Sequence, residues 1–219
     1  MNALRHPPQG EAAVWGIAAP SANRFGRVSP TTAAHVRSEL GDDLLILDGG
    51  PCGVGIESTI IDCTRGGPVL LRPGHITREQ IEAACGRTLL TLEEERAQAK
   101  VGLLAPKASG TLESHYAPNA RVRLMDAKAL QTALDMLGQD KPDGTSRATI
   151  AVYARSKLYV RSPLVLHRAM PHDAAVAAHE LFSVLRELDD AQVQLIWVET
   201  PPADMAWDGV RDRLQRAAA

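Results

Sequence analysis

Hydroxyl, amide and guanidinium side chains set in short glycine- and proline-marked loops are the groups in this 219-residue chain that could do chemistry. The run Ala18-Ala19-Pro20-Ser21-Ala22-Asn23 is followed shortly by Ser29-Pro30-Thr31-Thr32. Ser29 reads as an N-cap and Pro30 as the first residue of a helix that continues through Ala33, Ala34, Val36 and Leu40. The first amides of a helix lack internal partners and carry partial positive charge, so this junction could hold an anion such as phosphate. Seen alone, a Ser-Pro start commonly does no more than cap a helix.

Further clusters follow in order: Asp48-Gly49-Gly50-Pro51, then Gly55-Ile56-Glu57-Ser58-Thr59-Ile60, then Leu70-Leu71-Arg72-Pro73-Gly74, and finally Ser114-His115-Tyr116-Ala117-Pro118. Arg72 suits a phosphate clamp, because a guanidinium stays charged and can hydrogen-bond two oxygens at once. Its plainer alternative is a strand-end arginine paired with a carboxylate. Glu57, Ser58 and Thr59 read equally as the polar face of an ordinary strand. Asn23 is expected to hold its own loop through backbone hydrogen bonds rather than touch a ligand. Nothing here resembles a nucleophilic triad, since Ser21 has no evident base and His115 lies in a distant segment. No catalytic residue is therefore assigned.

The elements that must position these groups can be read from hydrophobic pattern and punctuation. Residues 14–19 form a short apolar run expected as a strand, and the helix from Pro30 is expected to stop at Gly41 in a left-handed turn. Residues 44–47 read as a compact buried strand, 57–63 as a β-branched strand and 69–72 as another. Thr77 with Gln80 makes a capping box that opens a helix closing at Gly86. Residues 89–119 read as a linker, helical in part at its start. Beyond it, strands are expected at 121–125, 149–154, 164–168 and 194–199, with helices at 127–137, 173–188 and 206–218. That alternation predicts a small open α/β sheet. It carries no glycine-rich dinucleotide fingerprint.

Taken together and in order, these segments resemble the threonylcarbamoyl-AMP synthase family, YrdC-like proteins in their two-domain form. The family pattern runs through PSAN, an SPT helix start, a G-[LI]-EST-[IV] strand, LRPG and a linker HYAP. The likeness continues to the closing Asp212-Arg213-Leu214 and Arg216-Ala217-Ala218. It implies an α/β fold: an α+β YrdC-like catalytic domain, incomplete here, at 1–88, an interdomain lid at 89–119 and a small Rossmann-like domain at 120–219. The activity implied is synthesis of threonylcarbamoyl-AMP and pyrophosphate from L-threonine, bicarbonate and ATP, for threonylcarbamoyladenosine in tRNA. By the same resemblance Ser21, Ser29, Arg72 and Tyr116 fall on ATP-binding positions, and Ala19 and Ser58 on threonine-binding ones. Asn23, Glu57, Thr59 and His115 are expected to support them. The Tyr116 region is expected to fold over the nucleotide and keep a labile mixed anhydride from water.

One departure accompanies the match. Family members carry a threonine-containing segment and a Lys-x-Arg basic cluster upstream of PSAN. Here residues 1–17 precede the motif and Arg5 is the one Lys or Arg among them. The chain is accordingly expected to correspond to the C-terminal portion of such an enzyme. That leaves two readings beside the active enzyme: a fragment or partner subunit needing a separate N-terminal half, and an RNA-binding module.

Composition narrows these. Lys and Arg number 24 against 26 Asp and Glu, a net charge of −2, so no global basic field argues for nucleic acid. Aromatic residues make up 4%, too few for a base-stacking platform. Cys52, Cys63 and Cys85 show no CxxC spacing and read as reduced thiols. The histidines show no ligand-like pairing, so no protein-held metal is expected, and Mg²⁺ is expected to arrive with ATP. The first ten residues hold two prolines and no apolar core, and no long apolar run occurs elsewhere. The expectation is a soluble cytoplasmic protein, away from membranes, that meets a tRNA-modification transferase.

Overall fold

The structure, a computed structural model, describes residues 5–16, 19–98, 115–137 and 148–219. Its first part carries helix α1 (Ala33–Leu40), strands β1 (Ile60–Asp62) and β2 (Val69–Arg72), helix α2 (Arg78–Cys85), strand β3 (Leu90–Thr91) and helix α3 (Leu92–Gln98). Strand β2 lies between antiparallel β1 and parallel β3. The second part runs β4 (Arg121–Met125), α4 (Ala127–Met136), β5 (Ile150–Ala154), β6 (Val165–Ala169), α5 (Ala174–Asp190), β7 (Leu195–Glu199), a short 3₁₀ turn and α6 (Asp208–Ala217). Its sheet is parallel throughout, in the order β4-β7-β5-β6.

The second part follows its sequence closely because each element is specified locally. Strand β5 is buried along its whole length, as a parallel strand covered on both faces must be. Helix α5 buries Ala177, Ala178, Leu181, Phe182, Val184, Leu185 and Leu188, the spacing of a single helical stripe. Asp173 and Asp126 cap α5 and α4 by accepting from Val176 N–H and Ala129 N–H. The stripe packs against the sheet in a core that also takes in Val28, Ile56 and Tyr116 from the first part and the linker. Leu130 and Leu134 of α4 cover the sheet's opposite face.

In the first part the capping box holds: Thr77 accepts from Gln80 N–H while the Gln80 side chain accepts from Thr77 N–H, and Gly86 ends α2 in a left-handed turn. Several other expectations are corrected. Helix α1 begins at Ala33 rather than Pro30, with Thr32 as its cap. The Ser29 hydroxyl is committed elsewhere, so it cannot cap. Gly41 ends the helix at φ 93 and ψ 175, a positive-φ conformation outside the left-handed helical region.

Residues 44–47 form no strand and stand exposed, with Leu47 at 90%. A strand exists only when an edge is there to pair with, and among the described residues none lies beside this run. Residues 12–16 are also unpaired, and Ile17 and Ala18 lie outside the described residues. Strand β1 is shorter than expected because the backbone before it is bonded otherwise: the Ser58 carbonyl accepts from the Arg72 side chain. In the linker, β3 and α3 occupy the predicted helical start, and Ser114 of the HYAP segment lies outside the described residues.

Candidate functional site

Ser29, at the end of an extended loop, is almost fully buried and donates its hydroxyl to Glu57 Oε1 at 2.7 Å. The other carboxylate oxygen of Glu57 accepts from Arg213 Nε at 3.0 Å. Arg213 comes from α6, at the far end of the chain, and is 0% exposed. It also donates to the carbonyls of Pro73 and Glu57 and pairs with Asp212 at 3.1 Å. A buried guanidinium is tolerated only when its donors are met, and here carboxylates and carbonyls meet them.

Arg72 closes β2 as a buried residue and grips the Ser58 carbonyl with Nε at 3.1 Å and Nη2 at 2.9 Å. The plainer alternative of a carboxylate partner is thus not what these two bonds show: they go to backbone. They fix the turn into β1 while Ser58 itself stays exposed. Thr59 Oγ1 donates to Ile76 O at 2.7 Å, tying the same strand to the segment after Gly74. That closeness requires glycine, since a Cβ at Gly74 would sit 2.3 Å from Thr59 N.

The linker enters through His115 and Tyr116. Tyr116 is 1% exposed and adopts φ 62, a conformation unfavourable to a bulky side chain. Its ring lies 5.2 Å from that of Phe182, and the Arg213 guanidinium sits over it at 5.6 Å. The Tyr116 hydroxyl and His115 Nδ1 are buried without hydrogen-bond partners among the described residues. Burial raises the Tyr116 pKa, and burial lowers that of His115, favouring the neutral imidazole. Buried polar atoms without a partner among the described residues are groups that a polar ligand could satisfy.

The PSAN loop shapes itself as expected at one point. Asn23 Nδ2 donates to the carbonyls of Arg24 and Arg27, both at 3.0 Å. Ser21 borders a cavity of about 400 Å³ together with Ser29, Gly55 and Glu57. Ala19 is exposed at the start of the loop. The structure thus joins Ser29, Glu57, Ser58, Arg72, Tyr116 and, through the cavity, Ser21, while Thr59 and Asn23 hold backbone. A separate cavity of about 360 Å³ between His75 and His172 contains none of these residues.

Sequence reasoning missed the residues that brace this site from the second part. Arg213 was assigned no role, and Arg186 went unmentioned. Arg186 of α5 donates to the carbonyls of Val28 and Ser29 and pairs with Glu39 at 3.2 Å. Thr31 Oγ1 and Ser183 Oγ share a hydrogen bond of 2.8 Å. A signal did exist: Arg213 shares the α6 stripe with Val210, Leu214 and Ala217, where an arginine must have buried acceptors. The carboxyl ends of the second sheet's strands, where open α/β sheets often take ligands, border the cavity of about 360 Å³ through His172, Asp173, Ala174, Ala206 and Trp207. At the carboxyl ends of β5 and β7, Glu199 accepts from Arg155 N–H, Ser156 N–H, the Ser156 hydroxyl and the Arg155 guanidinium.

Comparison with known proteins agrees with this arrangement. Residues 76–219 match the family model described as threonylcarbamoyl-AMP synthase, C-terminal domain, and residues 3–74 match one described as telomere recombination. The chain is 33% identical over 203 residues to the threonylcarbamoyl-AMP synthase of Bacillus subtilis, covering 92% of this chain and 57% of that protein. Among solved structures it resembles Pyrococcus abyssi Sua5 complexed with L-threonine, with TM-score 0.70, 29% identity, and coverage of 91% of this chain and 56% of that one. It resembles equally, at TM-score 0.70 and 26% identity, a variant of the same protein in which an adjacent histidine and tyrosine are both alanine. The chain spans a little over half the length of these relatives. With one family model matched over residues 76–219 and the Bacillus subtilis relative matched over 92% of its length, the chain belongs to the threonylcarbamoyl-AMP synthase family.

Proposed function

We propose that this chain carries the ATP and threonine loops of a threonylcarbamoyl-AMP synthase, which joins L-threonine, bicarbonate and ATP into threonylcarbamoyl-AMP and releases pyrophosphate. The product would serve formation of threonylcarbamoyladenosine in tRNA by a partner transferase. The observation that carries the reading is the linkage of Ser29, Glu57 and Tyr116 to the buried Arg213, with Arg72 on the Ser58 carbonyl next to Glu57. Ser21, Ser29, Arg72 and Tyr116 take the ATP side, and Ala19 and Ser58 the threonine side, with Asn23, Glu57, Thr59 and His115 in support. That one relative is known both with L-threonine and as a variant with an adjacent His-Tyr pair replaced by alanine supports these assignments.

The work asked of such a site is orientation and charge stabilisation. Arg72 would neutralise phosphate oxygens, the Ser29 loop would offer hydroxyl and amides, and Tyr116 would close over the nucleotide and exclude water. Mg²⁺ is taken to enter on the ATP phosphates. We read residues 1–88 as catalytic domain, 89–119 as lid and 120–219 as bracing domain. The setting is read as the cytoplasm, in keeping with three free cysteines; no helix among the described residues is long and apolar enough to cross a membrane.

A second reading has its own observation. Trp15, Phe25, Leu45 and Leu47 are exposed on the first part, an apolar load a free surface rarely carries. It fits a chain whose site is completed by further polypeptide. The test for both is pyrophosphate release from ATP with threonine and bicarbonate, by this chain alone and with Arg72→Ala. Threonine-dependent release lost in the variant supports the enzyme reading. Absence of release, restored on adding the relatives' unmatched portion, supports the second.

A further inference from the structure

Arg213 is linked, directly or through Glu57, to each segment that forms the candidate nucleotide site. Its Nε holds Glu57, which in turn receives the Ser29 hydroxyl. Its Nη1 reaches the Pro73 carbonyl, the residue next to Arg72. Its guanidinium lies over the Tyr116 ring at 5.6 Å. The Glu-Ser-Thr segment, the Arg-Pro-Gly turn and the His-Tyr linker thus meet on one guanidinium with no exposure to solvent, and the SPT loop joins them through Glu57.

The chemistry of the group explains why it is an arginine. Donors that diverge in one plane serve Glu57 and Pro73 at once, while the π face remains free to lie on an aromatic ring. A lysine ammonium keeps the charge and loses both the fork and the face. The conformation of Tyr116 adds a second line. At φ 62 the tyrosine is in a backbone geometry that the surroundings must enforce, and Arg213 and Phe182 are the groups pressed on its ring from the second part.

We propose that Arg213 is a positioning residue: from the second domain it holds Ser29–Glu57, the turn beside Arg72 and the Tyr116 ring in the one arrangement that binds nucleotide. ATP affinity then depends on a side chain that touches no ligand. Threonine, assigned to Ser58 and Ala19, meets Arg213 only through the long 3.4 Å bond to the Glu57 carbonyl and should depend on it less. This rests on the ATP site assigned above.

The test uses the full chain with Arg213→Lys and Arg213→Met. Arg65→Met serves as the control, because Arg65 is also a buried arginine paired with two carboxylates, Asp62 and Glu95, but lies away from the site. ATP and L-threonine binding are measured by calorimetry without turnover. Both Arg213 variants should weaken ATP by about tenfold or more while threonine changes less than about threefold, as expected when charge-assisted bonds behind one ligand are lost. A parallel fall for both ligands, or a full rescue by lysine, overturns the proposal.

A ligand-free arm measures chymotrypsin cleavage after Tyr116, mapped by mass spectrometry. Release of the linker should speed this cut about tenfold in the Arg213 variants and leave Arg65→Met near wild type. Equal cutting in all variants would mean that Arg213 does not hold the linker. If wild-type chain binds no ATP, the nucleotide reading fails, and the cleavage arm alone decides whether Arg213 positions Tyr116.

Discussion

Gly55 is where the segment leading to Glu57 is pressed hardest against the second part of the chain. Its φ is +89, and a Cβ built there would lie 2.2 Å from the His179 carbonyl oxygen and 2.5 Å from His179 Cα, both backbone of α5. A rotamer change cannot relieve such a clash; helix and segment must separate by roughly an ångström before the contact is ordinary. For Gly55→Ala the positive φ costs about 1 kcal/mol. Separation also re-exposes much of the buried Ile56 side chain next door, worth about 2 kcal/mol. The sum, about 3 kcal/mol, corresponds to a fall in Tm of roughly 6–12 °C for a domain of this size.

Thermal unfolding of the full chain, followed by circular dichroism, reads it directly. Gly53→Ala is the matched control, because nothing lies within 4 Å of a Cβ there; it should stay within about 0.5 kcal/mol of wild type. ATP affinity should fall in Gly55→Ala as well, because Glu57 is only two residues along the displaced segment. A Gly55→Ala protein as stable as wild type would refute the close approach, and with it the claim that α5 sets the position of Glu57.

Three further outcomes follow from single groups. Ser29→Ala removes a buried hydrogen bond to a carboxylate and should cost about 2 kcal/mol in urea unfolding; an unchanged midpoint contradicts the Ser29–Glu57 bond. Tyr116→Phe deletes a buried hydroxyl without a partner among the described residues, so it should leave the free protein's stability equal or raise it by about 1 kcal/mol while weakening ATP binding. Loss of stability instead would show that the hydroxyl is satisfied internally. Asp62 accepts from Thr64 and Arg65, bonds that hold its carboxyl at about 2, below its ordinary 3.8. The depressed value means its contribution is present above pH 3.8 and lost as pH falls through about 2. Asp62→Asn should flatten that limb of the urea-midpoint profile, and an unchanged slope would remove Asp62 as its source.

Where function was legible in the sequence, short-range chemistry made it so. Asn23 bonding its own loop and the Thr77–Gln80 capping box each depend on neighbours a few residues away. The resemblance rested on such local runs, and of the residues it pointed to, Ser29 bonds Glu57 while Arg72 bonds the Ser58 carbonyl. The first part was less legible. Apolar content at 44–47 shows that the segment can be buried, and says nothing of whether a partner strand lies beside it. Ser29 has the chemistry of a cap, yet its hydroxyl went to a stronger acceptor, the Glu57 carboxylate.

The sequence by itself determined the order of the loops, the periods of the helices and strands after residue 120, and the types of side chain available to hold phosphate. Only the tertiary structure decided which of those side chains are free to meet a ligand and which are spent on one another. Glu57 and Arg213 are 156 residues apart, and no local pattern encodes that pair. It forms because a fully buried guanidinium must find acceptors, and folding places a carboxylate and two carbonyls of the site loops where α6 comes to rest.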